Sequence, residues 1–234
     1  MMKEIKGIIF DKDGTLFDIQ RSWSEWAKVF VTKFSNQHNL DTLKLAKAIN
    51  FDLASDKFVR ESIFVHGSVD EVVEAIFQKF PQVMKKKIHE GLFEGSADAK
   101  QVPLTNLHTL FTNLATITFG LVTNDSETNA IRHLEQHNLT QYFDMIIGYD
   151  SGYGSKPEPG QLEAFLRKTN LPSQEVLMIG DSTYDLVAAN KISMPCLGVL
   201  SGTANKKDLS AHTPFVIDSV DELEAWLKKT FLVR

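Results

Sequence analysis

The stretch Gly7-Ile8-Ile9-Phe10-Asp11-Lys12-Asp13-Gly14-Thr15-Leu16 decides the fold of this chain. Its apolar β-type residues, Ile8 to Phe10, predict a buried parallel strand, and two carboxylates two positions apart follow that strand directly. Gly14 then permits a tight turn that a residue with a Cβ would resist. In an open parallel sheet, the carboxyl ends of the strands border the crevice in which ligands bind. Aspartates at that position predict a site for a hard cation such as Mg²⁺, which favours carboxylates and substrate phosphate as ligands.

The segment after this stretch has the apolar spacing of helices. From Arg21 to about Glu94 the sequence shows little β signal. Ser22 with Glu25, and Ser68 with Glu71, have the spacing of capping boxes, which predicts that a helix begins at each serine. A second helical stretch is expected after Asp41. The segment is therefore predicted to be a helical insertion and not a βαβ crossover.

From Leu104 onward, helical stretches alternate with apolar β-type stretches. Strands are expected at 115–122, 143–147, 176–179, 196–199 and 215–217, and Ser219 with Glu222 is expected to cap a terminal helix. This alternation predicts an α/β fold with a doubly wound, mostly parallel, Rossmann-like sheet. Residues 1–17 and 95–234 would form that core domain, and residues 18–94 the inserted helical domain.

Composition limits the classes of partner. The 234 residues are 43% hydrophobic and 24% charged, with a formal net charge of −5 and no long basic run, so a nucleic-acid partner is not expected. The one cysteine, Cys196, excludes a disulfide framework and a cysteine-based zinc site within the chain. No signal peptide and no apolar run of membrane-spanning length is visible. The sequence predicts a cytoplasmic protein without a membrane partner, and it leaves the oligomeric state open.

Polar residues follow three of the predicted strands. Asp11 and Asp13 follow the first, Thr123 and Asn124 follow the strand ending at Val122, and Asp181 follows the strand ending at Ile179. Neighbouring strands are about 4.8 Å apart, so Asp11 and Asp181 could share one magnesium ion if their strands are adjacent. The Thr123 hydroxyl and nearby backbone N–H groups could bind a phosphate at the same edge of the sheet.

Two further charged residues complete the predicted site. Lys156 lies in Lys156-Pro157-Glu158-Pro159, where the two prolines stiffen the loop, and it could place a cation against the phosphate. Asp185 is one helical turn beyond Asp181, and it could hold Lys156 or a metal-bound water from just outside the metal ligands.

These residues, in this order, resemble the motifs of the haloacid dehalogenase superfamily, in its branch of phosphoglycolate phosphatase-like enzymes. The first motif, Asp-x-Asp-Gly-Thr, stands at Asp11–Thr15, and the second, a Thr or Ser at a strand end, is Thr123. The third, a lysine before a helix, is Lys156, and the fourth, Gly-Asp-x-x-x-Asp, runs from Gly180 to Asp185. The family's helical cap is inserted between the first two motifs, where this chain has its helical segment.

The resemblance implies a role for each motif residue. Asp11 would be the nucleophile that forms an aspartyl-phosphate, and Asp13 would be the general acid and then the general base. Magnesium would bind the Asp11 carboxylate, the Asp13 backbone carbonyl and Asp181. The phosphoryl oxygens would be held by Thr123, Asn124 and Lys156. Lys12 differs from the apolar residue common in that position, and strand alternation predicts that it points away from the site.

The cap offers candidate contacts for the remainder of the substrate. Arg60 to Ser68 is expected to be a loop between cap helices that could reach over the metal site. Arg60 could pair with a substrate carboxylate, and His66 could donate a hydrogen bond to the substrate. Arg21, at the hinge after the first motif, is a third candidate.

The sequence thus predicts a magnesium-dependent phosphatase that hydrolyses a small phosphate monoester, such as a phosphoglycolate-like compound or a sugar phosphate. Asp13 argues against a dehalogenase, because that chemistry needs no proton donor to an alkoxide. A phosphomutase or other phosphotransferase remains open, although such relatives usually have Val where Thr15 stands. A non-catalytic aspartyl-phosphate switch also remains open, but it would not need an acid two residues after the acceptor or a helical insertion.

Overall fold

The computed structural model describes residues 4–59 and 62–230, with the side chain of His66 left out of the description. In chain order the elements are β1 (Gly7–Phe10), α1 (Ile19–His38), α2 (Thr42–Ala48), β2 (Phe51–Asp52), β3 (Lys57–Phe58), α3 (Ile63–His66), α4 (Val69–Lys79), α5 (Lys85–Phe93), α6 (Leu107–Asn113), β4 (Thr118–Val122), α7 (Glu127–Glu135), β5 (Met145–Ile147), α8 (Gly160–Thr169), β6 (Val176–Gly180), α9 (Thr183–Lys191), β7 (Cys196–Val199), α10 (Lys206–Ser210), β8 (Val216–Ile217) and α11 (Leu223–Thr230). None of the helices in this described part is both long enough and apolar enough to cross a bilayer.

Six strands form one parallel sheet in the order β5-β4-β1-β6-β7-β8. The predicted doubly wound α/β fold is confirmed. β1 lies in the middle of the sheet between β4 and β6, so the polar residues that follow these three strands share one edge. This order brings the first, second and fourth sequence motifs together.

The sheet has an apolar cluster on each face, because the apolar residues of β1 alternate between its two sides. Ile8 and Phe10 belong to the cluster that includes Phe111 of α6, whereas Ile9 belongs to the cluster that includes Phe165 of α8. Phe10 and Phe111 are in edge-to-face contact, with ring centroids 5.7 Å apart. Burial on both faces fixes the end of β1 in a rigid frame.

Helices α1 to α5 and the β2–β3 hairpin bury a third apolar cluster of their own, around Phe30, Phe34, Ile76 and Ile88. Capping residues predicted from sequence begin two of these helices. Asp41 accepts a hydrogen bond from the backbone N–H of Lys44, and Ser68 forms the reciprocal capping box with Glu71 at the start of α4. We call this helical segment the cap; its bounds at residues 18–94 stay a prediction.

Three local predictions in the cap are wrong. The helix α1 begins at Ile19 with Asp18 as its N-cap, and Ser22 is buried inside it, where its hydroxyl accepts the N–H of Val102. A short antiparallel hairpin, β2–β3, lies in the region where no strand was expected. The segment 60–68 is not wholly a loop, because it contains α3. A four-residue helix and two-residue strands are too short to give a periodic signal.

One local prediction in the core is also wrong. The side chain of Ser219 makes no capping bond, and α11 begins at Leu223 after a short 3₁₀ turn. Both β4 and β5 are shorter than the stretches predicted from their apolar residues, since Ile117 and Phe143 lie just outside them. These differences do not move the strand ends that carry the candidate site.

Candidate active site

Three carboxylates meet at the end of β1. One oxygen atom from each of Asp11, Asp181 and Asp185 lies within 4.8 Å of the others, and all three residues are buried. Both carboxylate oxygens of Asp181 are buried without a hydrogen-bond partner in the structure. A buried carboxylate without a partner is costly, so Asp181 calls for a cation. The donor set consists of oxygen atoms, which fits a hard divalent cation such as magnesium.

Two glycines make room for the Asp181 carboxylate. Gly14 has a φ of +84°, and a Cβ at that position would lie 2.5 Å from Asp181 Oδ2. A Cβ at Gly202 would lie 1.7 Å from the same oxygen atom. Side chains other than hydrogen would therefore collide with the carboxylate at both positions. The prediction that Gly14 permits a tight turn is explained by its left-handed backbone and by this close approach.

The buried carboxylates have pKa values above their ordinary range. Burial raises the pKa of Asp11 to about 7, in spite of the neighbouring Lys156 cation. Burial also raises the pKa of Asp181 well above its usual value, and the charges on Asp11 and Asp185 raise it further. A divalent cation beside these groups would favour their ionised forms, because it supplies the opposite charge that the site lacks.

Lys156 joins two of the carboxylates. Its ammonium is 2.6 Å from Asp11 Oδ1 and 2.5 Å from Asp185 Oδ1, and it also donates to the carbonyl of Val122. Burial alone would lower the pKa of Lys156, but the two carboxylates raise it above the ordinary value. The lysine is therefore a fixed cation beside Asp11, and Asp185 holds it, which was one of the two roles that the sequence suggested for Asp185.

Asn124 positions Lys156 through the backbone. The amide nitrogen of its side chain donates to the Lys156 carbonyl, and its amide oxygen accepts the Lys156 N–H, both at 2.9 Å. The side chain of Asn124 therefore fixes the backbone of the loop at Lys156. Thr123 is buried, and its hydroxyl oxygen accepts the N–H of Asp125, so the hydroxyl proton is left to donate to a ligand.

Asp13 is held on both sides. The indole N–H of Trp23, on α1, donates to Asp13 Oδ1 at 2.7 Å, and the Lys12 ammonium forms an ion pair with Asp13 Oδ2 at 2.7 Å. Trp23 belongs to the cap, and Lys12 belongs to the core. The carboxylate that the sequence predicts as general acid therefore bridges the two parts of the molecule.

Lys12 forms a second buried cluster behind Asp13. Its side chain is fully buried, and its ammonium also lies 3.0 Å from Asp125 Oδ2 and 2.9 Å from His133 Nδ1. Burial lowers the pKa of Lys12, but Asp13 and Asp125 raise it above the ordinary value. The prediction that it points away from the site is wrong, because its ammonium returns to Asp13.

His133 connects this cluster to the end of the cap. Its Nε2 lies 2.9 Å from the Ser96 carbonyl, which can only accept, so Nε2 carries the proton and Nδ1 accepts from Lys12. Burial and the Lys12 cation lower the pKa of His133 to about 4, which keeps the ring neutral. Ser96 follows the last cap helix, and its hydroxyl accepts from Asn129, which also donates to Asp125.

The catalytic cluster opens into a space between the cap and the core of about 780 Å³, its mouth included. Asp11, Asp13, Thr123, Asn124 and Lys156 line it.

Of the three cap residues predicted to contact substrate, the structure describes the side chain of Arg21 alone. Arg21 is exposed and lines another cavity, between α1 and residues 91–100, because the first turn of α1 directs Ile19 and Trp23 to the catalytic space instead. Arg60 lies outside the described residues. His66 ends α3, and its side chain is likewise outside the description.

Sequence reasoning missed the partners of Asp13, which are Trp23 and Lys12, and the further partners of Lys12, which are Asp125 and His133. A signal was present at Lys12. Lys12 lies in the sequence between the apolar residues Phe10 and Leu16, and all three are fully buried. A buried lysine requires carboxylates or other acceptors nearby. The signal does not say which residues those partners are.

Comparison with known proteins identifies the family of this chain. Residues 8–199 match the family described as haloacid dehalogenase-like hydrolase. The chain belongs to this family. The recognition made from the four motifs is confirmed, and so is the prediction of a hydrolase.

Similar proteins of the haloacid dehalogenase-like family bear a more specific name. A phosphoglycolate phosphatase of Vibrio cholerae is 27% identical over 235 residues, which cover 95% of this chain and 96% of the relative. One of Vibrio parahaemolyticus is 36% identical over 110 residues, which cover 47% of this chain and 48% of the relative. The crystal structure of a putative phosphoglycolate phosphatase from Lactobacillus delbrueckii superimposes with a TM-score of 0.72 at 20% identity, covering 96% of this chain and 99% of that one. At that identity the structure supports the fold alone.

Proposed function

We propose that this chain is a magnesium-dependent phosphatase that hydrolyses a small phosphate monoester through an aspartyl-phosphate on Asp11. The observation that carries the proposal is the buried cluster at the end of β1. Asp11 lies there between the Lys156 cation and the unpartnered carboxylate of Asp181. The relatives named phosphoglycolate phosphatase support the same class of reaction.

Asp11, Asp181 and the backbone carbonyl of Asp13 would hold the magnesium ion. The two unpartnered Asp181 oxygens and the room left by Gly14 and Gly202 fit a small cation with oxygen ligands. The ion would offset negative charge on the transferring phosphoryl group. Asp185, which is bound to Lys156, would hold that lysine and not the ion.

The first half of the reaction uses Asp11, Asp13 and Lys156. An Asp11 oxygen bonds to phosphorus while the bond from phosphorus to the substrate oxygen breaks, and the Lys156 ammonium offsets the charge of the phosphoryl oxygens. Asp13 donates a proton to the departing alcohol oxygen. Thr123, with its hydroxyl proton directed to a ligand, holds a phosphoryl oxygen.

The second half reverses these roles. Asp13, now ionised, accepts a proton from water as the water oxygen bonds to phosphorus and the bond from phosphorus to Asp11 breaks. The products are inorganic phosphate and the free carboxylate of Asp11. The hydrogen bond from the indole N–H of Trp23 and the ion pair with Lys12 hold the Asp13 carboxylate in position through both steps.

The decisive experiment is Asp11→Asn with phosphate trapping. The amide is close in shape but is a far poorer nucleophile, so we expect turnover to fall below about a thousandth of that of the parent enzyme. Rapid quench of the parent enzyme with labelled substrate and magnesium should leave phosphate on the peptide that contains Asp11. Label on a serine or histidine would overturn the mechanism.

The exposed Asp218 offers a matched control. Asp218→Asn changes the same chemical group outside the site, and we expect it to retain full turnover and the same labelled peptide. A similar loss in both variants would show that the Asp11 result reflects general damage to the protein.

A further inference from the structure

The cap presents an apolar wall to the catalytic space. The side chains on that wall include Ile19, Trp23, Phe64, Val69, Leu92 and Phe93. Trp23 and Phe64 are in edge-to-face contact, with ring centroids 5.6 Å apart. The indole N–H of Trp23 is bound to Asp13, so the ring and not the N–H is what this residue offers to a substrate. This wall stands beside the residue that protonates the leaving group.

The charges around the space lie on the opposite side. Among the described residues that line it, the charged ones are Asp11, Asp13, Asp125 and Lys156, and all of them come from the core. Lys156 is already paired with two carboxylates. Asp13 and Asp125 are paired with Lys12 in turn, so a negatively charged leaving group would meet carboxylates and hydrocarbon without an unpaired cation among these lining residues.

We propose that the alcohol released by this enzyme has an uncharged, largely hydrocarbon body of about the size of an aromatic ring. This inference rests on the proposed phosphatase function and concerns the same site. A carboxylate next to the phosphate ester, as in phosphoglycolate, would lose its water against the apolar wall without gaining a cation. A hydrocarbon body would remove its own apolar surface and that of the wall from water, which favours binding.

The test compares benzyl phosphate with phosphoglycolate, because both release a primary alcohol and differ in charge and hydrocarbon content. Ethyl phosphate and acetyl phosphate serve as small reference substrates. With magnesium present, we expect kcat/KM for benzyl phosphate to exceed that for phosphoglycolate by at least tenfold. Equal values, or a preference for phosphoglycolate, would overturn the inference and leave the proposed function standing. Release of phosphate from none of the four compounds would overturn the proposed function itself.

Variants of the cap locate the effect. We expect Phe93→Ala to lower kcat/KM for benzyl phosphate at least fivefold more than that for ethyl phosphate. Phe77, on the neighbouring helix α4, belongs to the cap's apolar cluster but does not line the space, so Phe77→Ala should leave the ratio of the two substrates unchanged. Equal losses on both substrates in Phe93→Ala would contradict the proposed wall. Circular dichroism and unfolding temperature would be measured for both variants.

Arg60→Ala tests the opposite hypothesis, that the leaving group carries a carboxylate. If this arginine supplied a cation for a substrate carboxylate, phosphoglycolate would be preferred in the parent enzyme and Arg60→Ala would remove that preference. That outcome would overturn the proposal that the leaving group is uncharged. We expect instead that Arg60→Ala changes kcat/KM for benzyl phosphate less than twofold.

Discussion

The molecule buries two lysines next to the first motif, and they serve different aspartates. Lys156 lies on a loop after β5 and bridges Asp11 to Asp185, whereas Lys12 lies within the motif and bridges Asp13 to Asp125. One cation stands at the proposed nucleophile, where phosphoryl charge has to be offset. The second cation, Lys12, lies behind the proposed acid and away from that charge. It contacts His133, which in turn donates to the carbonyl of Ser96, just after the last cap helix. The comparison teaches that burial and ion pairing alone do not tell a lysine that contacts substrate from one that positions a carboxylate.

Removing Lys156 should have the largest effect. We expect Lys156→Met to lower kcat/KM by about a hundred- to a thousandfold, because the site loses a charged donor to the phosphoryl oxygens. It also leaves Asp11 and Asp185 facing each other without their cation, which destabilises the fold by about 3–5 kcal/mol. Steady-state kinetics with ethyl phosphate and 4-nitrophenyl phosphate, together with urea unfolding, would measure both effects.

The loss of activity in Lys156→Met should be similar for the two substrates, because phosphoryl charge is present whatever the leaving group. A loss confined to ethyl phosphate would move Lys156 to the leaving-group side and remove the distinction between the two lysines. Exposed Lys168, which contacts only a backbone carbonyl, supplies the control variant Lys168→Met, for which we expect unchanged kinetics.

Removing Lys12 should affect the leaving group selectively. We expect Lys12→Met to lower the rate on ethyl phosphate about tenfold more than the rate on 4-nitrophenyl phosphate, since an alkoxide needs the proton from a well-placed Asp13 and nitrophenolate hardly does. Asp13→Asn should show the same selectivity more strongly. Pre-steady-state phosphate transfer from the two substrates is the measurement. Equal fractional losses would show that Lys12 acts only on stability.

Lys12→Met also leaves Asp125 without its cation, so the variant is expected to lose stability. The double variant Lys12→Met/Asp125→Asn removes both charges of the pair and should unfold closer to the parent protein. If the double variant regains stability but keeps the selective loss on ethyl phosphate, positioning of Asp13 is separated from folding. Recovery of full activity on ethyl phosphate would contradict the positioning role.

The two lysines also differ in how far the sequence could predict them. Lys156 lies between a predicted strand and a predicted helix on a proline-stiffened loop. The parallel sheet predicted from the alternation places that loop at the same edge as Asp11, although the order of the strands was left open. Lys12 depends on His133, 121 positions away, and on Trp23 of the cap. Local periodicity predicts which face of an element is buried, but it does not say which distant side chain meets it there.

The same limit explains the other outcomes. The sheet and its polar edge were predictable because its strands have apolar runs and because polar residues follow three of them, β1, β4 and β6. The start of α1 was not predictable, because Ser22 and Asp18 both fit a capping position. In the structure Asp18 caps the helix, and the Ser22 hydroxyl instead accepts the N–H of Val102, which is 80 positions away. Arg21 was predicted as a substrate contact because it lies at the hinge after the first motif, but it lies in the first turn of α1 and is exposed.

The metal site should depend on pH in a way that the Lys12 cluster does not. The raised pKa values of Asp11 and Asp181 mean that the metal-free folded protein keeps protons which the unfolded chain has lost. Its stability therefore falls as the pH rises from about 4 to about 7. Because magnesium must displace those protons, the rise in unfolding temperature on adding it should be larger at pH 8 than at pH 5. An equal rise at the two pH values would argue against these carboxylates as the ligands.

The smallest expected effect concerns His133. Its pKa falls from the ordinary value of 6.5 to about 4 in the folded protein, so between those values the unfolded chain binds a proton that the folded chain does not. This contribution to stability is present above pH 6.5 and is lost as the pH falls toward 4, with a difference of about 1–2 kcal/mol between pH 7 and pH 5. Glutamine can accept from Lys12 and donate to Ser96 without titrating, so we expect His133→Gln to lose less stability than the parent over this range. Urea unfolding of both proteins with saturating magnesium gives the comparison, and parallel curves would show that His133 does not titrate as the buried Lys12 cluster requires.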